Sequence, residues 1–199
     1  MKRIVRTILV LTVASLVMVA LQYEPLNAQT MNLEPGNPAP EFEAMNAEGE
    51  LWRSADHVGK KILVVYFYPG AMTGGCTDQA CNFRDDRTKL TEMGAEVVGI
   101  SGDPVSNLEL FKRVNNLNFP LLSDEQGTIA RAFGVPVRGG GTITRVVDGE
   151  EKVLTREIST ARWTFIIGLD GKIAYKDTEV NAAGDSKTVI EAIENMVGK

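Results

Sequence analysis

Residues 61–68 are a short, almost wholly apolar run rich in valine and aromatics, closed by Pro69. Such a run, too short for a helix and full of β-branched and aromatic side chains, predicts a buried strand. Residues 95–101 and 121–123 read the same way. So do residues 162–167, which turn at Asp170 and Gly171 into a further strand at 172–176. Between these runs the spacing turns helical. Ala80, Phe83 and Leu90 share approximate helical spacing, interrupted by Arg87 and ended by Met93 and Gly94. Asp103 and Pro104 read as a cap and a first helical residue, ahead of an apolar face of Leu110, Phe111, Val114 and Leu117. A short helix is expected around residues 127–133, and a closing helix at 185–197 with Val189, Ile190, Ile193 and Val197 facing the core. Strands alternating with helices predict an α/β domain. Two hairpins complete the pattern. One spans residues 42–53 around Glu48 and Gly49. The other pairs residues 142–147 with 152–158 across Asp148 and Gly149, with residues 138–141 as a flexible glycine-rich joint.

The ends of the chain and its charge narrow the picture. Lys2, Arg3 and Arg6 precede an uncharged apolar run at residues 7–21, then Pro25 and small residues near Ala28. This reads as an export signal over residues 1–28, with an uncleaved membrane anchor as the alternative. Residues 29–40, with three prolines, read as an extended lead-in to the domain. What remains suits one domain with a substantial core. A net charge of −5 gives no electrostatic case for nucleic acid or acidic membrane surfaces.

The candidate chemistry sits directly after the first strand. Gly70, Gly74 and Gly75 allow a tight turn, and Cys76 follows where that loop becomes a helix. A thiol in the first turn of a helix faces unpaired N–H groups and the positive end of the dipole, which favour a thiolate. Cys81, the other of only two cysteines, lies five residues on. On an ideal helix those Cα atoms are about 8–9 Å apart, whereas a disulfide needs less than about 7 Å. A bond between them would require the first turns to unwind. A structural staple is the plain alternative, but closing so short a loop restricts the unfolded chain by only about 2 kcal/mol, against nearly 5 kcal/mol for a loop of about a hundred residues. A zinc site falls short too, with two cysteines and the single His57, which sits in a polar loop.

The run Y-F-Y-P, then Thr73, Cys76, Thr77, Ala80-Cys81 and Phe83-Arg84-Asp85, resembles the active-site segment of the peroxiredoxins. More narrowly it resembles the Q-type, or bacterioferritin-comigratory-protein, group. The resemblance implies a thioredoxin-like fold over residues 33–199, with a central mixed sheet flanked by helices. It implies a thiol-dependent peroxidase with Cys76 as peroxidatic nucleophile and Cys81 as resolving cysteine. Thr73 and Arg162, the latter just ahead of Thr164 and Phe165, would hold the peroxide oxygens, and Pro69 would shield the sulfur. The disulfide would be recycled by a thioredoxin-like donor, with no metal, haem or flavin, and resolution within one chain makes a monomer the default. Two departures stand out: Gly74 where proline is common, and a region at 137–159 longer than usual, its hairpin either a docking surface or simply solvated. Phe83, Phe119 and Trp163 are candidates for an apolar rim accepting larger peroxides. Two other classes remain open. A thiol-disulfide oxidoreductase would usually carry C-x-x-C, and a copper carrier would use both cysteines and His57.

Overall fold

The computed structural model describes residues 33–198. The export signal or anchor, and the first part of the lead-in, lie outside the described residues. Among the described residues no helix is long and apolar enough to cross a membrane.

The centre is a five-stranded sheet in the order β5-β4-β3-β8-β9. Strands β3 (Ile62–Phe67), β4 (Ala95–Ser101) and β5 (Leu121–Ser123) run parallel. Strands β8 (Trp163–Ile167) and β9 (Ile173–Asp177) run antiparallel to their neighbours, so the sheet is mixed. Every residue of β3 is buried, which explains its lack of polar alternation: both faces are covered. On one face Val64, Tyr66 and Tyr68 pack with Cys76, Ala80 and Phe83 of α1 (Gly74–Asp85), Leu90 of α2 (Arg87–Glu92), Leu108 and Phe111 of α3 (Val105–Val114), and Val189 and Ile193 of α5 (Asp185–Val197). On the other face Leu63, Val65 and Phe67 meet Phe133, Ile129 of α4 (Thr128–Ala132), and Trp52 of the hairpin β1 (Glu43–Met45) and β2 (Leu51–Arg53).

Several expectations change here. Pro104, not Asp103, occupies the cap position of α3, and the buried Asp103 side chain turns to the loop after β3. Val114, the last residue of α3, is exposed, and Leu108 joins Phe111 and Leu117 in the core. The side chain of Val197 lies outside the described residues. Phe83 and Phe119 form no rim with Trp163. Both pack on Tyr66 inside the core, whereas Trp163 packs on Phe165 across the sheet under the Lys176 ammonium. His57 is not a free loop residue: its ring stacks on Trp52 and its Nδ1 lies 2.6 Å from Glu96 Oε2.

The second hairpin is longer than expected, with β6 (Val137–Val147) paired along its length to β7 (Glu150–Thr160). Its two-residue turn has positive φ at both Asp148 (54°) and Gly149 (81°), the requirement of a type I′ turn. The glycines at 139–141 are not a joint but part of β6. A Cβ on Gly140 would come 2.1 Å from Arg156 O, so that position needs glycine for close backbone approach.

Candidate active site

The fully buried β3 delivers the chain to Pro69, and the next four residues form a loop in which Met72 holds φ = 61°, a strained value for a residue with a side chain. Side chains grip this loop along its length. Thr160 Oγ1 donates to Tyr68 O (2.9 Å) and Ser159 Oγ to Pro69 O (2.8 Å). Arg156 Nη2 donates to Ala71 O (3.1 Å) and Arg145 Nε to Met72 O (2.8 Å). All four donors come from the β6–β7 hairpin. Its tip is solvated, with Val146 and Val153 exposed on one face, but its base is a wall of the loop. Beneath it, Asp103 Oδ2 accepts from Ala71 N–H (2.7 Å) and Oδ1 from Arg156 Nε (2.8 Å), an ion pair with both side chains out of water.

The loop hands over to α1 at Thr73, the residue at the cap position. The Thr73 hydroxyl does not cap the helix. It donates to Gly70 O (2.9 Å), so toward any further partner it can only accept. The first intrahelical bond is from Thr77 N–H to Thr73 O (2.8 Å), which leaves the amides of Gly74, Gly75 and Cys76 without helical acceptors. Cys76 is buried there, 1% exposed. Arg162, half-buried ahead of β8, points Nη2 at Cys76 Sγ, 3.2 Å away. A guanidinium and a helix N-terminus thus converge on one sulfur. Pro69 is half-buried in the loop.

Cys81 lies on the same helix and is partly exposed; both cysteines are free. Arg84 Nη1 reaches Cys81 Sγ at 3.5 Å while donating to Asn115 O (2.6 Å). No bond between the cysteines forms while α1 is intact, as their spacing requires.

Sequence reasoning missed the polar chain behind Arg162. Gln79, one turn after Cys76 and fully buried, accepts from Arg162 Nη1 through Oε1. Its Nε2 donates to Asp185 Oδ2 (2.6 Å), which also accepts from Thr164 Oγ1 (2.9 Å). Burial pushes the Asp185 carboxyl up to about 6, against the opposing bonds from Gln79 and Thr164. The i, i+3 spacing from Cys76 was the available signal for Gln79. Asp185 had none, being 106 residues from Gln79. Among the described residues no group of three or more His, Cys, Asp or Glu side chains gathers as a metal site, and the cysteines and His57 are not brought together. A cleft of about 700 Å³ lined by Phe42, Ser54 and Asp124 contains none of these residues.

A buried thiol at the N-terminus of a helix, beside a guanidinium and packed on a mixed sheet, with a second thiol on the same helix, defines a thiol-based redox enzyme of thioredoxin-like fold. The AhpC/TSA family model matches residues 35–176. A putative peroxiredoxin of Mycobacterium tuberculosis is 38% identical over 157 residues, covering 78% of this chain and 92% of the relative. Peroxiredoxin Bcp of Escherichia coli is 38% identical over 144 residues, covering 72% and 84%. The crystal structure of peroxidoxin BcpB from Mycobacterium tuberculosis superposes with a TM-score of 0.68 at 32% identity, over 82% of this chain and 98% of that one. The bacterioferritin comigratory protein of Xanthomonas campestris, described for its alkyl peroxide reduction activity, gives 0.64 at 25% identity, over 78% and 91%. The chain belongs to the AhpC/TSA family and, within it, to the Q-type peroxiredoxins. The activity that goes with this membership is thiol-dependent peroxide reduction.

Proposed function

We propose that Cys76 is the peroxidatic nucleophile and Cys81 the resolving cysteine of a peroxidase cycle confined to one chain. The observation that carries this reading is the Arg162 Nη2 contact to Cys76 Sγ at the N-terminus of α1, with Cys81 on the same helix. The thiolate attacks one peroxide oxygen. An S–O bond forms, the O–O bond breaks, and the departing oxygen leaves as water or alcohol after taking up a proton. Arg162 and the Cys76 amide stabilise the charge moving onto that oxygen, in the manner of an oxyanion hole. Thr73, its own proton committed to Gly70 O, accepts a hydrogen bond from the peroxide O–H. Pro69 keeps bulk water from the sulfur.

The sulfenic acid at Cys76 then condenses with the Cys81 thiol, releasing water and leaving a disulfide, once the first turns of α1 have opened. A thioredoxin-like dithiol reduces that disulfide by exchange. Sulfur carries both redox steps. The protein acts as a monomer, because resolution needs no partner subunit. Residues 1–28 direct it out of the cytoplasm as a cleaved signal or a retained anchor, so the donor is an extracytoplasmic one.

The test is thiol counting on reduced protein lacking residues 1–28, seconds after one equivalent of hydrogen peroxide. Wild type is expected to lose both thiols, and Cys76→Ser to keep its remaining thiol. Loss of thiols in Cys76→Ser at the wild-type rate would overturn the assignment.

A further inference from the structure

The polar chain behind Arg162 ends in a group that the cycle above does not use. Asp185 opens α5, is 2% exposed, and presents one carboxylate oxygen to two donors while the other, Oδ1, is buried without a partner. A buried carboxylate left half satisfied carries a desolvation cost that side-chain packing alone does not justify. Its partner is informative. A glutamine amide has a donor end and an acceptor end; the Arg162 guanidinium, which only donates, takes the acceptor end and leaves the donor end in need of an acceptor behind it. A carboxylate meets that need, since it accepts only. With Asp185 ionised, Gln79 must turn Nε2 to Asp185 and therefore Oε1 to Arg162, the orientation seen.

We propose that Asp185 is a positioning residue for the Cys76 reaction: its carboxylate fixes the Gln79 amide in the one orientation that anchors the Arg162 guanidinium beside the Cys76 sulfur. This rests on the peroxidase reading of the site. The chain of contacts runs Asp185, Gln79, Arg162, Cys76, and each link is a direct hydrogen bond. If Asp185 instead carried a proton, it would accept more weakly from the amide NH₂ and, protonated on Oδ2, would compete with Arg162 for the amide oxygen, so the guanidinium would be held less firmly. Thr164 does not compete, because its hydroxyl donates to the carboxylate whichever way the amide faces.

The groups facing Asp185 come from several elements. Arg162 at the start of β8 favours its ionised form, and Asp177 on β9 opposes it. The buried Tyr66 hydroxyl on β3, itself without a partner, and Tyr175 on β9 both sense its charge. Burial dominates this balance and brings the carboxyl to about 6. The anchor is therefore at full strength at neutral pH and is weakened on acidification.

The experiment follows the second-order rate of Cys76 oxidation by hydrogen peroxide in wild type and Asp185→Asn, by stopped flow from pH 5 to pH 8, with urea melts as a folding check. Asparagine has the shape of aspartate but no charge and can donate as well as accept, so it holds the amide less firmly in the orientation that Arg162 needs. The expected result is a variant slower by about three- to tenfold at pH 7.5, the worth of one hydrogen bond. The ratio of the two rates should approach one at pH 5, where wild-type Asp185 is itself neutral. A merely structural role would give a ratio independent of pH, and that result overturns the proposal. Gln79→Glu combined with Asp185→Asn restores an acceptor toward Arg162 and a donor behind it, and should return to within about twofold of wild type. If the single variant does not fold, the double variant decides, and a deficit of about tenfold at every pH counts against the proposal. Wild type reacting no faster than an ordinary thiol would instead remove the peroxidase reading beneath it.

Discussion

Replacing Arg156 by methionine would remove the charge that the β6–β7 hairpin inserts behind the active-site loop. The side chain is 7% exposed and its partner Asp103 is 0% exposed, so the substitution leaves an uncompensated buried carboxylate. Asp103 keeps three other donors, Ala71 N–H, Ser101 Oγ and Asn107 Nδ2, while Ala71 O loses the one that Arg156 supplied. Breaking one side of a buried pair costs about 3–5 kcal/mol, and the three remaining bonds place this case toward the lower end. Urea unfolding of the reduced protein at pH 7 reads that cost directly. The internal standard is Arg113→Met, which breaks a pair with Asp148 at the exposed turn of the same hairpin, 56% and 73% exposed. Such a pair contributes about 0–1 kcal/mol. The loop that presents Cys76 should loosen as well, slowing the reaction with peroxide. A loss below about 1 kcal/mol for Arg156→Met, equal to that of Arg113→Met, would refute the reasoning and make the hairpin a surface appendage.

Gly70→Ala should act through the same clamp, since its Cβ would stand 2.3 Å from Arg156 Cζ; a double-mutant cycle by urea melts should show its cost largely gone in an Arg156→Met background. Arg162→Met should slow sulfenic acid formation about 10²-fold or more in stopped-flow measurements, as loss of one preorganised charge donor does. Asp185→Asn should stabilise the fold at pH 7.5 even while it slows the chemistry. A carboxyl raised from 3.8 to about 6 stays protonated in the native state where the unfolded chain has ionised. Wild-type stability from this group is thus fully present below about pH 4 and falls by about 3 kcal/mol as pH rises past 6. Urea melts at pH 4 and pH 7.5 should show the variant gaining on wild type at the higher pH, and no gain would contradict the burial argument.

What the sequence displayed and what it hid follow from how far each signal reaches. Strand β3 was legible because burial on both faces writes itself as an unbroken apolar run, and Cys76 because glycines and a helix start flank it in sequence. The turn of the second hairpin was legible from Asp148 and Gly149 alone. The role of its base was not. Gly140 looks like freedom in a sequence, whereas in the fold it is a demand for closeness to the backbone at Arg156. Asp103 likewise reads locally as a helix cap, yet long-range partners on β7 and the active-site loop claim its carboxylate. Asp185 was hidden most completely, because its meaning depends on Gln79 and Thr164 arriving from two other elements.

The resolving step joins these observations. On the proposed cycle, bringing Cys81 to Cys76 means opening the first turns of α1, and the segment around α1 is fastened to the start of α5 by Gln79 Nε2 donating to Asp185 Oδ2, Asn82 Nδ2 to Ala183 O (2.9 Å), and Ser186 Oγ to Asp86 Oδ2 (2.7 Å). Of these, the Gln79–Asp185 contact both supports Arg162 beside the sulfur and would oppose the proposed disulfide.

The most direct test of the central claim is intact-mass analysis of Cys81→Ser and of Cys76→Ser after one equivalent of hydrogen peroxide, with a sulfenic-acid-trapping dione present. The account predicts a single trapped adduct on Cys76 in Cys81→Ser within seconds and none in Cys76→Ser. An adduct on Cys81 in Cys76→Ser, with Cys76 unmodified in the other variant, would contradict it.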